Sequence, residues 1–342
     1  MRTLIIGAGA AGSALAVDLV RHGHTVLLAE LPGFYGRLET IDRQGSHLRA
    51  TGLFEAEGDV QTADISAASN CDVVFVCTVA EAHSTVAQLL VPHLKQVKAV
   101  VYYPGNLGSL FLAQTLAKRS KRPVLVEANS IPYGCRIEKE DPENVHISVL
   151  TPGLLYSGPV EHVEGLEEVL KQLSPQLILG GTPLSVILSN PNPLFHTTPC
   201  LLSAGRIEHA AGDFYMYNEG VTPSVLRALR AKDEERLKLL EVIEGRGLRW
   251  SELRGLVQVE GHFQDLEFLA CGRHGRFRGP DSLTHRYIVE DTKAGLVAWE
   301  RIGTMHNIPT PVTSAEITLI SAMLGRDFRT EGAERAKLIT PN

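Results

Sequence analysis

The stretch MRTLIIGAGAAGSALAVDLVRHGHTVLLAE, residues 1–30, decides the fold. Residues 2–6 are a short apolar run, as a strand buried on both faces of a parallel sheet requires. Gly7, Gly9 and Gly12 follow as G-x-G-x-x-G. Ala14, Leu15, Val17 and Leu19 then recur at helical spacing until His22-Gly23 breaks the pattern, and a second apolar run, TVLLA, ends in Glu30. The first glycine permits a tight turn out of the strand, the second lets the backbone approach a pyrophosphate, and the third lets the helix pack closely on the sheet. The phosphates sit on free N–H groups at the helix start, those of Ala10, Ala11 and Gly12 among them. A glycine motif between a strand and a helix, with an acid at the end of the next strand, predicts dinucleotide binding. Glu30 suits the ribose hydroxyls of NAD and would repel a 2′-phosphate. A plain surface acid at a strand end is the alternative, and Arg37 and Arg43 downstream keep NADP open.

Working outward, residues 71–80 (CDVVFVCTVA) read as another buried strand, with Thr78 at its carboxyl end, where the cofactor crevice lies. A helical pattern over about 81–94, a strand ending at Tyr103, a turn at Pro104-Gly105-Asn106 and a strand over 123–128 continue the alternation. Strand–helix alternation predicts a doubly wound, Rossmann-type α/β sheet. Segments 144–150 and 176–180, flanking a helix near 164–173, are expected to extend the same domain with antiparallel strands. After Thr182 long helical patterns dominate: 222–244, opened by Thr222-Pro223, then 292–306 and 312–324. The expected organisation is an N-terminal dinucleotide-binding domain, 1–182, and a mostly α-helical domain, 183–342.

The 342 residues carry 33 Lys and Arg against 39 Asp and Glu, a net charge of −6 with no basic block. That argues against nucleic acid or an anionic membrane as partner. No apolar run approaches the ~20 residues of a membrane span. Cys71, Cys77, Cys135, Cys200 and Cys271 form no Cys-x-x-Cys pair, which suits a reduced cytoplasmic protein without structural zinc. The N-terminal apolar residues run straight into glycines, unlike a signal peptide. The histidines show no metal-ligand spacing.

Two segments of the second half carry the chemistry: SNPNPLFHTTPCLLSAGRIE, residues 189–208, and HRYIVEDTKAGLVAWERIGTMHNIPTPV, residues 285–312. Asn190-x-Asn192-Pro193-x-x-His196, Gly205-Arg206-Ile207-Glu208, Tyr217-x-Glu219-Gly220-x-Thr222-Pro223-Ser224, Pro132-Tyr133-x-Cys135-Arg136 and Arg286-Tyr287-Ile288-x-Glu290-Asp291 stand in one order along nearly the whole chain. Together with the glycine motif they resemble the octopine/nopaline (opine) dehydrogenase family. The resemblance implies reductive condensation of an α-keto acid with the amine of an amino acid, using NAD or NADP. It also implies a helical domain like the C-terminal domain of 6-phosphogluconate dehydrogenase. His196 matches the family's catalytic histidine, Asp291 its carboxylate partner and Arg286 its substrate arginine.

Elementary chemistry supports those assignments. Hydride addition to a C=N or C=O carbon needs a proton donor and the reverse needs a base, and imidazole serves as both near neutrality. A carboxylate on its other nitrogen fixes the tautomer. A guanidinium clamps a substrate carboxylate with two parallel bonds. Arg286 is expected in an extended stretch and Asp291 at the start of the next helix, where an N-cap and a catalytic partner are compatible roles. Asn192 is either an N-cap before Pro193 or a substrate contact. Tyr133 and Cys135 wall the substrate pocket or simply pack, and Glu208 and Glu219 are candidates for the ammonium.

Two other functions fit parts of the pattern. A carbonyl reductase of related architecture, acting on a 2-keto or 2-hydroxy acid or on a ketopantoate-like substrate, would place a catalytic lysine on the connecting helices. No lysine lies between Lys171 and Lys232. A non-catalytic dinucleotide sensor would not need the His–Arg–Asp set. The long apolar-faced helices permit a homodimer.

Overall fold

The computed structural model describes residues 1–340 except 120, 139, 152, 175, 180, 246 and 248–276. The chain divides into two compact units, Met1–Val186 and Ile187–Asn342, so the division falls inside the helix Pro183–Leu188, a few residues beyond Thr182.

The first unit is built on an eight-stranded sheet. Its strands are β1 (Arg2–Ile6), β2 (Thr25–Ala29), β5 (Gln61–Thr62), β6 (Val73–Val76), β7 (Ala99–Tyr102), β8 (Val124–Ala128), β11 (Gly153–Ser157) and β12 (Gln176–Leu179). The spatial order is β12-β11-β8-β7-β6-β1-β2-β5, parallel from β8 through β5. The four residues of β6 and of β7 are all buried, the continuous apolar pattern of a sheet covered on both faces. The chain leaves β1 to one side for β2 and later returns on the other side for β6. The carboxyl end of β1 is therefore the switch point at which open α/β sheets bind ligands.

A second sheet lies in the same unit and was not legible as one in the sequence. Its strands are β3 (His47–Gly52), β4 (Ala56–Asp59), β9 (Tyr133–Ile137) and β10 (Asn144–Leu150), in the order β4-β3-β10-β9. The expectation that 144–150 and 176–180 extend this domain with antiparallel strands is met in part. Residues 144–150 pair parallel with β3 and antiparallel with β9 in this second sheet. Residues 176–179 join the main sheet parallel to β11, and it is β11 that runs antiparallel to β8.

The helix after the glycine motif, α1 (Ala10–Arg21), packs against both sheets, and Gly12 through Leu19 are buried without interruption. A helix covered on two sides has little polar face. Ser13 and Asp18 are the exceptions, and both are satisfied: the Ser13 hydroxyl donates to the Ala8 oxygen at 3.2 Å, and Asp18 accepts from the Tyr133 hydroxyl and from Arg21 Nε at 2.5 Å.

The second unit is mostly helical in its described residues, with one isolated antiparallel bridge between Tyr215 and Arg278. Pro223–Glu244 begins with proline in its first turn and ends at Gly245, and Pro311–Leu324 ends at Gly325. Both terminal glycines have positive φ, 73° and 61°, which closes a helix without Cβ strain. The third long helix differs from its expected form. It does not start at 292 but at Arg286, capped by His285. It passes through a π-helical stretch, Asp291–Leu296, into Val297–His306.

Candidate active site

In the first unit the candidate cofactor site forms at the carboxyl ends of β1, β2 and β6. Gly7 has φ +110°, and a Cβ there would lie 2.7 Å from the Cys77 carbonyl oxygen, so this turn requires glycine. A Cβ on Gly12 would stand 1.8 Å from the Gly7 oxygen, which fixes the close helix–strand approach. Gly9 is different: its backbone is extended, and a Cβ would meet nothing within 4 Å. Nothing in the fold demands glycine there, whereas a ligand lying against the backbone would. The first bond of the α1 ladder is donated by the Ser13 N–H to the Gly9 oxygen at 2.9 Å. The N–H groups of Ala10, Ala11 and Gly12 precede it, and no side chain caps them.

Glu30 does not project from the end of β2. Its Oε1 accepts the Ala8 N–H at 2.5 Å, which ties the strand end to the glycine loop. Burial pushes its carboxyl above the ordinary range, against the opposing pull of the Ala8 and Leu31 N–H groups. Thr78 follows β6, and its Oγ1 is buried without a hydrogen-bond partner among the described residues. Arg37 is half-buried, its Nε and Nη2 likewise lack partners, and burial pushes its guanidinium below its usual range. Arg43 is instead engaged with Glu39 and Thr40. An uncapped helix start, an open Cβ position at Gly9 and orphaned polar atoms at Thr78 and Arg37 fit a phosphate-bearing dinucleotide.

In the second unit three segments converge on His196. The residue joins two short helices, Pro191–Phe195 and Thr197–Leu202. Its Nδ1 stands 2.7 Å from Asp291 Oδ2, and both side chains are about nine-tenths buried. An ionised Asp291 accepts the Nδ1 proton, so Nε2 is the nitrogen left for a substrate. Gly295 makes the approach possible, since a Cβ there would lie 2.3 Å from Pro193 Cγ. On the imidazole face lies Tyr287, with ring centroids 3.7 Å apart and planes 18° from parallel. Arg286, more than half exposed, stands over the other end of that group, with its guanidinium 5.7 Å from the Tyr287 ring centre. Tyr217 is buried beside the same residues. Its hydroxyl is pushed well above the usual range, first by burial, then by Tyr287, Cys200 and Asp291, with Arg286 opposing.

Several sequence expectations change here. Asp291 is not an N-cap. It stands inside a helix that began five residues earlier, because His285 caps that helix by accepting the Tyr287 N–H at 3.3 Å. Arg286 is accordingly helical rather than extended. Asn192 is not an N-cap either. Asn190 holds that place, its Oδ1 accepting the Asn192 N–H at 3.0 Å, with Pro191 as the first helical residue. Asn192 remains one turn before His196, whose N–H donates to the Asn192 oxygen at 2.9 Å. Tyr133 belongs to the core: it is 2% exposed and its hydroxyl is committed to Asp18, which leaves no polar group for a substrate. Cys135, on the same strand, packs half-buried against that core. Glu219 accepts the Tyr215 N–H at 2.7 Å and pairs with Arg206 at 3.0 Å, so an ammonium would have to compete for it. Cys271 lies outside the described residues, and Cys71, Cys77, Cys135 and Cys200 are free thiols.

The motifs contain Tyr287 and Tyr217, but sequence reasoning assigns neither a role. For Tyr287 the missing signal was periodicity. Read as one helix from 286, Tyr287 and Asp291 are four apart and share a face. Among the described residues, no three His, Cys, Asp or Glu side chains are grouped as metal ligands would be. No described helix is long and apolar enough to cross a membrane.

Comparison with known proteins covers both units. Residues 180–324 match the family described as NAD/NADP octopine/nopaline dehydrogenase, alpha-helical domain, and residues 3–116 match ketopantoate reductase PanE/ApbA. The opine dehydrogenase of Arthrobacter sp. (strain 1C) is 27% identical over 346 residues, covering 98% of this chain and 94% of the relative. Among solved structures, apo yersinopine dehydrogenase aligns with TM-score 0.75 at 15% identity, covering 99% of this chain and 98% of that one. Octopine dehydrogenase with NADH and pyruvate aligns with TM-score 0.71 at 16% identity, covering 95% and 89%. At such identities the structural likeness speaks for the fold alone.

Proposed function

The chain belongs to the octopine/nopaline dehydrogenase family, and from that premise we propose that it is an NAD(P)-dependent oxidoreductase acting on CH–NH bonds. The amine of an amino acid condenses with the carbonyl of an α-keto acid to an imine with release of water, hydride then adds to the imine carbon and a proton to its nitrogen, and the reaction is reversible. The observation that carries this reading is the buried His196–Asp291 pair, with Arg286 and Tyr287 on the same helix as the aspartate.

The cofactor supplies the hydride. Gly7, Gly9 and Gly12, the N–H groups of Ala10, Ala11 and Gly12, Glu30 and Thr78 would hold it. Arg286 binds the keto-acid carboxylate as a guanidinium clamp. Its exposure lets it reach a substrate without breaking any strong bond, since its ion pair to Glu290 is 3.9 Å long. In the reductive direction His196 Nε2 gives its proton to the substrate heteroatom as the carbon is reduced. Asp291 stabilises the imidazolium before that transfer and holds the tautomer after it. In oxidation Nε2 takes the proton back. Tyr287 restricts the imidazole by stacking, so the ring is presented in one orientation. Asn192, one turn away, is the proposed further substrate contact.

The proposed partners are the two small substrates and the cofactor, with no nucleic acid, membrane or metal, and the proposed location is the cytoplasm. NAD is the proposed cofactor on the strength of Glu30, with NADP kept as an option by the unpartnered Arg37 guanidinium. The deciding experiment is oxidation of NADH and of NADPH against a matrix of α-keto acids and amino acids. Turnover that requires both substrates supports the proposal. Turnover with a keto acid alone, indifferent to amine, makes the protein a carbonyl reductase, and tight cofactor binding without turnover makes it a sensor. Sedimentation of the same sample reads whether a homodimer forms.

A further inference from the structure

Behind His196 lies a second buried ionic group that the proposed reaction does not use. Lys232, on Pro223–Glu244, is 0% exposed, and Glu316, on Pro311–Leu324, is 4% exposed. The Lys232 ammonium donates to Glu316 Oε2 at 2.9 Å, to the Pro193 carbonyl at 2.9 Å and to Thr197 Oγ1 at 2.7 Å. These three acceptors use all its protons, so it has none for a substrate. Glu316 Oε2 lies 2.7 Å from Thr197 Oγ1, and its Oε1 accepts from the Thr198 hydroxyl. Apart from the Lys232–Glu316 bond itself, each of these bonds reaches the chain within three residues of His196: Pro193 before it, Thr197 and Thr198 after it.

Two short helices joined at a single residue have little intrinsic stiffness, because neither reaches the length at which a helix holds itself. The junction at His196 must be held from outside, and Lys232 and Glu316 do so from two long helices. Burial pushes the Lys232 ammonium below its usual range; Glu316, its hydrogen-bonded partner, opposes that most, and the charges of Asp291 and Glu235 oppose it further. Among the described residues, the titratable and charged groups around the imidazole are Asp291, Tyr287 and Arg286 on one side, with His285 against Tyr287, Tyr217 on another, and Lys232 and Glu316 behind, where Glu235 also acts on the ammonium. Cys200, one turn on along the histidine's own helix, is a neutral thiol whose burial pushes its ionisation up.

We propose that the Lys232–Glu316 pair is a positioning device for His196: it clamps the chain on both sides of the histidine and, being internally neutral, leaves the Asp291 carboxylate to the imidazole alone. This rests on the reading of His196 as the proton-transfer group. A buried pair is poor support for stability as such, since apolar replacements of both partners often do as well. Its placement around one residue calls for a different account.

The test compares Glu316→Gln with the double substitution Lys232→Met/Glu316→Leu. Two quantities are read: the NMR titration of the His196 ring in the protein without substrate, and kcat against pH. In E316Q the ammonium loses its counter-ion, and the carboxylates of Asp291 and Glu235 are the charges left to hold it ionised, so it competes for Asp291. The His196 ring then titrates lower by about one pH unit, and the acid-dependent limb of kcat moves with it. In the double variant no charge is added, so the titration stays at the wild-type position. The clamp is gone, however, and kcat falls by roughly tenfold or more with cofactor affinity unchanged. A folded E316Q whose His196 titrates as in wild type overturns the electrostatic half. A double variant with wild-type kcat overturns the positioning half. Should E316Q fail to fold, the double variant decides alone: wild-type kcat in it refutes the proposal. The ring titration needs no substrate, so an error in the assigned reaction would leave it readable, whereas an inactive wild type with an unmoved titration in E316Q would condemn both.

Discussion

His196 Nδ1 and Asp291 Oδ2 stand 2.7 Å apart although 95 residues separate them in the chain, and the rings of His196 and Tyr287 lie nearly parallel beside that bond. A carboxylate at this distance acts on the imidazole in two ways: it selects the tautomer with Nε2 free, and it favours the imidazolium. Asp291→Asn keeps the shape and removes both effects. We expect kcat to fall about 10²- to 10⁴-fold, with cofactor affinity and melting temperature near wild type. His196→Ala should lose at least as much while still binding the cofactor. Stopped-flow hydride transfer and fluorescence titration of NADH read the two quantities separately, and wild-type turnover in either variant would remove the pair from the mechanism.

The glycine loop offers a test in which two similar substitutions part company. Gly9→Ala places a methyl group where nothing lies within 4 Å, in a backbone conformation any residue adopts. Stability should hardly change, while the dissociation constant for the dinucleotide should rise by about tenfold or more, as expected when a pyrophosphate can no longer approach the backbone. Gly12→Ala places its methyl 1.8 Å from the Gly7 oxygen, so the helix or the turn must move. It should cost about 1–3 kcal/mol or more of stability. Calorimetric melting and cofactor titration of both variants check this. Unchanged affinity in folded Gly9→Ala would mean that no ligand lies against that position.

Residues 1–30 were legible because each level agreed: apolar strand, glycine turn and buried helix all pointed to one arrangement. The second sheet was not. Strand β4 reads AEGD, with neither apolar alternation nor β-branched residues, and it is held by its pairing with β3 rather than by its own pattern. In the site, His196, Asp291 and Arg286 could be named from the motifs that contain them, but their local geometry could not. Asp291 before a helical run looks like a cap, and only the capping of Arg286–Glu290 by His285 shows that the helix had already begun. Lys232 and Glu316 look like solvent-facing charges on long helices. A charge buried by tertiary packing leaves no periodic trace when its partner comes from a distant helix.

Arg286 tests substrate binding apart from proton transfer. Its side chain is 60% exposed and its ion pair with Glu290 is long, so Arg286→Gln should leave the melting temperature unchanged. Losing a charge-assisted contact to a carboxylate should raise KM for the keto acid by about 10- to 100-fold, with the affinity for NADH untouched. Initial rates at varied keto acid and fixed amine give the value. A KM unaltered in this variant would assign the carboxylate to another group.

The second unit also carries an acid-sensitive bond remote from His196 in sequence. Glu300, on Val297–His306, accepts two bonds from Arg329, each 2.7 Å, and Arg329 also donates to the Ser314 oxygen at 3.0 Å. One guanidinium thereby ties three helices. Burial alone would raise the Glu300 carboxyl, but the bonds from Arg329 and Ser314 and the Arg329 charge outweigh it and hold the carboxyl below its ordinary value of 4.5. An acid whose ionisation is depressed in the folded state contributes stability above its unfolded pKa and loses it as the pH falls through the folded one. In Arg329→Met the share of that contribution due to Arg329 is gone at every pH, and only the Ser314 bond remains. The difference in melting temperature between wild type and Arg329→Met should therefore be greatest above about pH 5 and shrink steadily below it, as Glu300 takes up its proton. Thermal melts at half-unit pH intervals measure the difference. A gap that stays constant down to the lowest pH would mean that Arg329 stabilises the helices through its contacts to Ser314 and Thr318 rather than through the Glu300 charge.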